Sequence, residues 1–147
     1  MTAEEKLKFA SSPQGREAAQ DYLSQAKWLD AALALKLSQM DMLRQRARRA
    51  AALTAEPRPG EDAAAALTAL ERDIQADYHR LTLLQREIRE CLSRVPQPLP
   101  RLVLEMHYLQ GSPFFRIAMA LHYDERQIYR YQAQGLEQVA LQLAEKE

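Results

Sequence analysis

The sequence predicts an all-α protein: a long antiparallel helical hairpin of coiled-coil type followed by a helix-turn-helix module. Three observations carry that expectation. The 147 residues hold only 4 Gly and 7 Pro and are rich in Ala, Leu, Gln, Glu and Arg, which favour helix over strand. Two stretches of roughly 30 residues each repeat apolar side chains every three or four positions. Beyond Pro100 the pattern changes to short helices separated by tight turns.

The first punctuation is Ser11-Ser12-Pro13. Ser12 suits a helix N-cap with Pro13 in the first helical position, where a missing N–H costs nothing. Residues 1–12 are therefore expected as a flexible lead, either a frayed helical turn or a disordered segment. Apolar residues then recur at Tyr22, Ala26, Leu29, Leu33, Leu37, Met40, Leu43 and Ala47, the signature of one helical face. Ala55-Glu56-Pro57-Arg58-Pro59-Gly60 stops that helix. A second stripe follows at Leu67, Leu70, Ile74, Tyr78, Leu81, Leu84, Ile88, Leu92 and Val95. Each stripe is about 45 Å long at 1.5 Å per residue. Two such helices on a short loop pack antiparallel, which gives a hairpin over 13–95. A hairpin alone buries little, so a further helix is expected from the C-terminal part or from a second chain. Trp28 and Leu35, off the main stripe, mark that second contact.

Pro96-Gln97-Pro98-Leu99-Pro100 predicts a stiff, extended linker at 96–100. In the module at 101–147, Leu102, Val103, Met106 and Leu109 mark a helix face ending at Gln110-Gly111, with Gly111 as a left-handed C-cap. Ser112 and Pro113 restart a helix, as N-cap and first residue, that runs to about Leu121. Asp124 is placed to cap a last helix from about 125 to 145, and Glu125 adds a favourable negative charge in its first turn. Ile128, Tyr131, Leu136, Val139 and Leu143 face inward there, and Gly135 is a weak spot.

Composition excludes several classes. Lys plus Arg and Asp plus Glu are both 20, so bulk attraction to nucleic acid or an anionic membrane has no support from net charge. The single Cys91 cannot form an internal disulfide and reads as a small buried residue, consistent with a reducing cytoplasm. No apolar run approaches a membrane span, and the charged start at Glu4, Glu5, Lys6 and Lys8 is unlike a signal peptide. His79, His107 and His122 are too scattered for a metal site. There is no phosphate loop, nucleophile elbow or paired-carboxylate pattern, so no enzyme, cofactor or small-molecule substrate is expected.

Helix, three-residue turn, helix is the helix-turn-helix layout. Ile117 and Ala118 take the middle of its first helix, with Ala small where the second helix crosses. Leu121 fills the core beside the turn, Tyr123 is the apolar turn residue, and Ile128 and Tyr131 point inward. Glu125, Arg126, Gln127, Tyr129 and Arg130 are left outward, where such a helix meets base edges. Arg suits guanine and Gln adenine through paired hydrogen bonds. Arg116 is a candidate phosphate contact, as is the cluster Arg44, Arg46, Arg48 and Arg49.

Tyr108-Leu109-Gln110-Gly111, Arg116-Ile117-Ala118, Leu121-His122-Tyr123 and Gln127-Ile128-Tyr129-Arg130 resemble region 4 of sigma-70-type factors. The whole layout resembles small phage and prophage proteins that join an N-terminal helical hairpin to such a module. The resemblance implies a phage-encoded, sequence-specific transcription regulator in a bacterial host cytoplasm. Its implied partners are double-stranded DNA, RNA polymerase and a second copy of the chain. Two alternatives are an adaptor that keeps the fold without reading DNA, with Phe114 and Phe115 as its contact, and a DNA-packaging accessory protein. The family carries Gly in the turn where His122 stands here, and Ser or Thr where Asp124 stands. Residues 96–147 hold five basic and six acidic residues, a net charge of −1, so a monomer is expected to bind DNA weakly.

Overall fold

A computed structural model describes residues 2–53 and 61–146, and the break expected at 55–60 lies outside them. Every regular element among these residues is helical. In chain order they are α1 (Ala3–Ser11), α2 (Pro13–Leu53), α3 (Glu61–Ser93), α4 (Pro98–Leu104) with a π-helical turn (Glu105–Leu109), α5 (Phe114–Leu121) and α6 (Glu125–Glu145). The chain forms two compact units, one of residues 1–25 and 84–147, the other of 26–83. The division thus does not follow the expected boundary at 96–100.

The first unit explains why. Pro98 and Pro100 do not extend a linker. They lie in the first turn of α4, where backbone N–H groups have no helical partner to lose. Val95 and Pro100 are buried, which ties the turn into the core. The expected flexible lead is also a helix. Thr2 and Glu5 close a capping box at the start of α1, which satisfies two otherwise unpaired N–H groups. Ser12 ends α1 and starts α2, its Oγ accepting from the Gly15 N–H at 3.1 Å, as its sequence context predicts. A Cβ at Gly15 would stand 1.9 Å from the Phe9 carbonyl oxygen, so this corner requires glycine.

α1, α4 and α5 all pack on α6. Leu23 of α2 and Ile88 and Leu92 of α3 are fully enclosed, as are Val103, Leu104, Ile117, Ile128 and Val139. Each contributes about 1.5–3 kcal/mol by leaving water. Leu104 faces the core, whereas Leu102, expected there, is exposed. Gly135 is no weak spot. A Cβ there would meet Leu104 Cδ1 at 2.6 Å and the Pro100 carbonyl at 3.3 Å, so its absence lets α4 approach α6.

The second unit pairs the rest of α2 with the start of α3. Lys36 Nζ donates to Asp77 Oδ2 at 2.6 Å, and Arg44 pairs with Glu71 at 3.4 Å. As α2 advances from Lys36 to Arg44, its partner on α3 retreats from Asp77 to Glu71, so the helices run antiparallel here. Two expected stripe residues, Leu37 and Tyr78, are exposed instead. Their neighbours Lys36 and Asp77 take the inner positions, with Asp77 buried. An apolar count cannot find this pair, because both members are polar and satisfy each other only across the seam.

Candidate nucleic-acid interface

The turn before α5 is set by backbone geometry. Gly111 has φ 73°, and the Ser112 N–H donates to the Met106 carbonyl at 2.9 Å, wrapping the end of the π-helical turn. This is the left-handed cap expected of Gly111. The N-cap of α5 is Pro113 and not Ser112. Its carbonyl accepts from Arg116 and Ile117 at 3.0 and 3.2 Å. Proline serves because an N-cap needs extended backbone and a free carbonyl, and gives up no N–H bond there.

The turn between α5 and α6 holds the one non-glycine left-handed residue among the described residues, His122 at φ 60°, ψ 39°. Its position is the one where the resembled family carries Gly. Left-handed backbone costs an L-residue about 1–2 kcal/mol, and the fold supplies compensation. The His122 and Tyr123 N–H groups both return to the Ala118 carbonyl, the latter at 3.0 Å. Asp124 is the N-cap of α6, its carbonyl accepting from Gln127 and Ile128 at 3.0 and 3.2 Å, while its side chain makes no capping bond.

Val103, Ile117, Ala118 and Ile128 form the buried cluster under this turn, with Met106, Phe114, Leu121 and Tyr131 packed around it. Ala118 and Ile128 are therefore where the sequence predicted them. Tyr123 is partly exposed, its ring edge-on to Tyr131 at 5.5 Å. The hydrogen bond between the two hydroxyls raises the Tyr123 pKa above its ordinary value.

A set of aromatic contacts had no sequence signal beyond residue type. His107 stacks on Phe114 at 4.0 Å and meets Tyr108 edge-on at 4.7 Å, and Phe114 lies 4.9 Å from Tyr129. His107 Nδ1 lies 2.9 Å from the Ser112 carbonyl, so Nδ1 donates. Gln132 donates to the Tyr108 hydroxyl at 3.4 Å, and burial raises that hydroxyl's pKa. These residues bind the π-helical turn to α5 and α6. Phe114 is thus packing, and the adaptor surface shrinks to Phe115, which is exposed, and its neighbour Met119 one turn on, 73% exposed.

On the outer side of α6, Glu125, Arg126, Tyr129 and Arg130 are exposed and Gln127 is half-buried. Arg116 is exposed on α5. The side chains of Arg116, Arg126 and Arg130 make no ion pair or hydrogen bond among the described residues. Their guanidinium groups are therefore free to bind an anion or a base edge. Asp124 and Glu125 place negative charge at the same helix start. Arg44, Arg46, Arg48 and Arg49 are exposed in the other unit, and Arg44 is held by Glu71. No group of His, Cys, Asp and Glu among the described residues is arranged to hold a metal ion. Among the described residues no helix is long and apolar enough to cross a membrane. No protein-family model, curated protein or solved structure matches this chain.

Proposed function

We propose that this protein is a sequence-specific DNA-binding transcription regulator of phage type, with a sigma-region-4-like helix-turn-helix at its C-terminal end. α6 enters the major groove and reads a promoter element through Arg126, Gln127, Tyr129 and Arg130. Glu125 lies at the same edge, and Arg116 clamps a phosphate. The α2–α3 hairpin dimerises the protein or contacts RNA polymerase, and Arg44, Arg46, Arg48 and Arg49 offer auxiliary phosphate contacts.

The observation that carries this reading is the row of unpaired arginines on the outer face of α6, beyond a left-handed turn and a well-packed α5–α6 core. Arg126 and Arg130 are four residues apart, so both face one groove. Each bidentate contact to guanine is worth about 1–3 kcal/mol of discrimination. The acidic start of α6 and the net charge of −1 over residues 96–147 make a single copy a weak binder. Two copies on one site overcome that by raising effective concentration.

The test is selection of fragmented host and prophage DNA by the purified protein at moderate salt, followed by sequencing. One enriched site, lost in Arg126→Ala/Arg130→Ala with helicity and oligomeric state intact, is the expected result. Unchanged affinity in that variant would reject α6 as the reading helix. The exposed Phe115 and Met119 on α5 favour a second reading, an adaptor that docks on RNA polymerase without reading DNA. Absence of an enriched site, with polymerase capture lost in Phe115→Ala, would select it.

A further inference from the structure

We infer that α2 carries a self-complementary dimer face, on which a second copy of this chain docks antiparallel with its Trp28 seated in a groove between α2 and α3. This gives a location to the dimerisation in the reading above and rests on that part of it alone. Trp28, Leu35 and Met42 stand seven residues apart, so they form one ridge on the helix. They are 59%, 60% and 51% exposed. The opposite face of the same helix, with Ala26 and Leu33 buried, packs on α3. Among the described residues of the 26–83 unit the buried apolar ones are Ala26, Leu33 and Leu81. Trp28, Leu35 and Met42 therefore lie outside the seam, on the exposed ridge.

Two features identify the occupant as a second copy. The first is charge. Lys27 and Asp41 are exposed along one edge of the ridge, with Ala34 midway, and neither makes an ion pair among the described residues. In an antiparallel two-fold arrangement centred on Leu35, Lys27 of each copy lies about 3 Å along the axis from Asp41 of the other, within reach of its long stem. A parallel two-fold arrangement would place this edge on opposite sides of the interface in the two copies, so Lys27 and Asp41 could not meet. The second is shape. The same arrangement brings Trp28 of one copy level with Met42 of the other. Beside Met42 lies a groove of about 440 Å³, whose lining includes the apolar Met42, Ala66 and Ala69 and the polar Gln39, Arg46 and Asp73. Ala66 and Ala69 leave room for an indole, and Arg46 in the lining offers a guanidinium for its ring face. Because the face is isologous, each dimer has two such seats.

The experiment is sedimentation equilibrium of the full chain together with emission of its single tryptophan. The expected result is a dimer whose Trp28 emission shifts to the blue as concentration rises. Leu35→Lys, which sets two ammonium groups against each other on the two-fold axis, should weaken the dimer about 30-fold or more, the size of a hot-spot loss. Circular dichroism should show unchanged helicity, since Leu35 is exposed. Leu35→Cys should oxidise to a covalent dimer with itself, while Trp28→Cys should cross-link only when mixed with Met42→Cys. Cys91 is buried and does not compete. A monomer at every concentration, a dimer indifferent to Leu35→Lys, or self-cross-linking of Trp28→Cys would each overturn the proposal. DNA selection that fails while the dimer survives would instead count against α6 as a reader.

Discussion

Removing Lys36 should destabilise the 26–83 unit more than removing Asp77, and removing both should be nearly harmless. At 2.6 Å the gross attraction is about 6 kcal/mol for an effective dielectric of about 20. Desolvation of both ions offsets most of it. The two losses are unequal because the side chains are 31% and 9% exposed respectively. Lys36→Met leaves Asp77 buried, with only Arg80 at 3.8 Å, itself 72% exposed, a contact worth less than about 1 kcal/mol. The expected cost is about 2–4 kcal/mol. Asp77→Leu leaves an ammonium that can extend to water along its own stem, so the cost is about 1–2 kcal/mol. Lys36→Met/Asp77→Leu should lie within about 1 kcal/mol of the parent or above it. Urea unfolding followed by Trp28 emission reports this unit, since Trp28 belongs to it. If Asp77→Leu proves the costlier single change, or if the double variant is worse than either, the reasoning from burial fails.

His122→Gly should raise thermal stability by up to about 1 kcal/mol and His122→Val lower it by about 1–2 kcal/mol, because only the backbone conformation differs in cost. A Val variant that melts with the parent would show that the turn tolerates branching. Gly135→Ala should cost about 1–3 kcal/mol despite its better helix propensity, since the new methyl meets Leu104 at 2.6 Å. Combining it with Leu104→Ala should cost less than the two changes apart, and additive melting shifts would rule the close approach out. Burial raises the pKa of Cys91, Tyr22 and Tyr108. For acids whose folded pKa is raised, stability is fully present below the unfolded value and is lost as pH climbs through the folded one. Melting temperature should therefore be flat near neutrality and fall from about the ordinary thiol value of 9.0 upward, first for Cys91 and then for the tyrosines. Cys91→Ala should remove the earliest part of that fall, and an unchanged curve would count against a role for thiol burial.

The all-helical class and the caps at Ser12 and Gly111 were legible because each depends on neighbours within about four residues. So were the inward positions Ile117, Ala118 and Ile128, because a tight turn fixes spacing locally. Three features were decided by tertiary contact. Residues 3–11 became a helix packed on α6, although nothing in their own sequence demands burial. Pro98 and Pro100 entered a helix because its first turn needs no N–H donor, a choice made by the burial around Val95 and Pro100. Lys36 and Asp77 displaced Leu37 and Tyr78 from the seam because a charge can be buried only when its partner arrives from the other helix. Local sequence determines which conformations are cheap, and burial of groups far apart in the chain decides which of them are used.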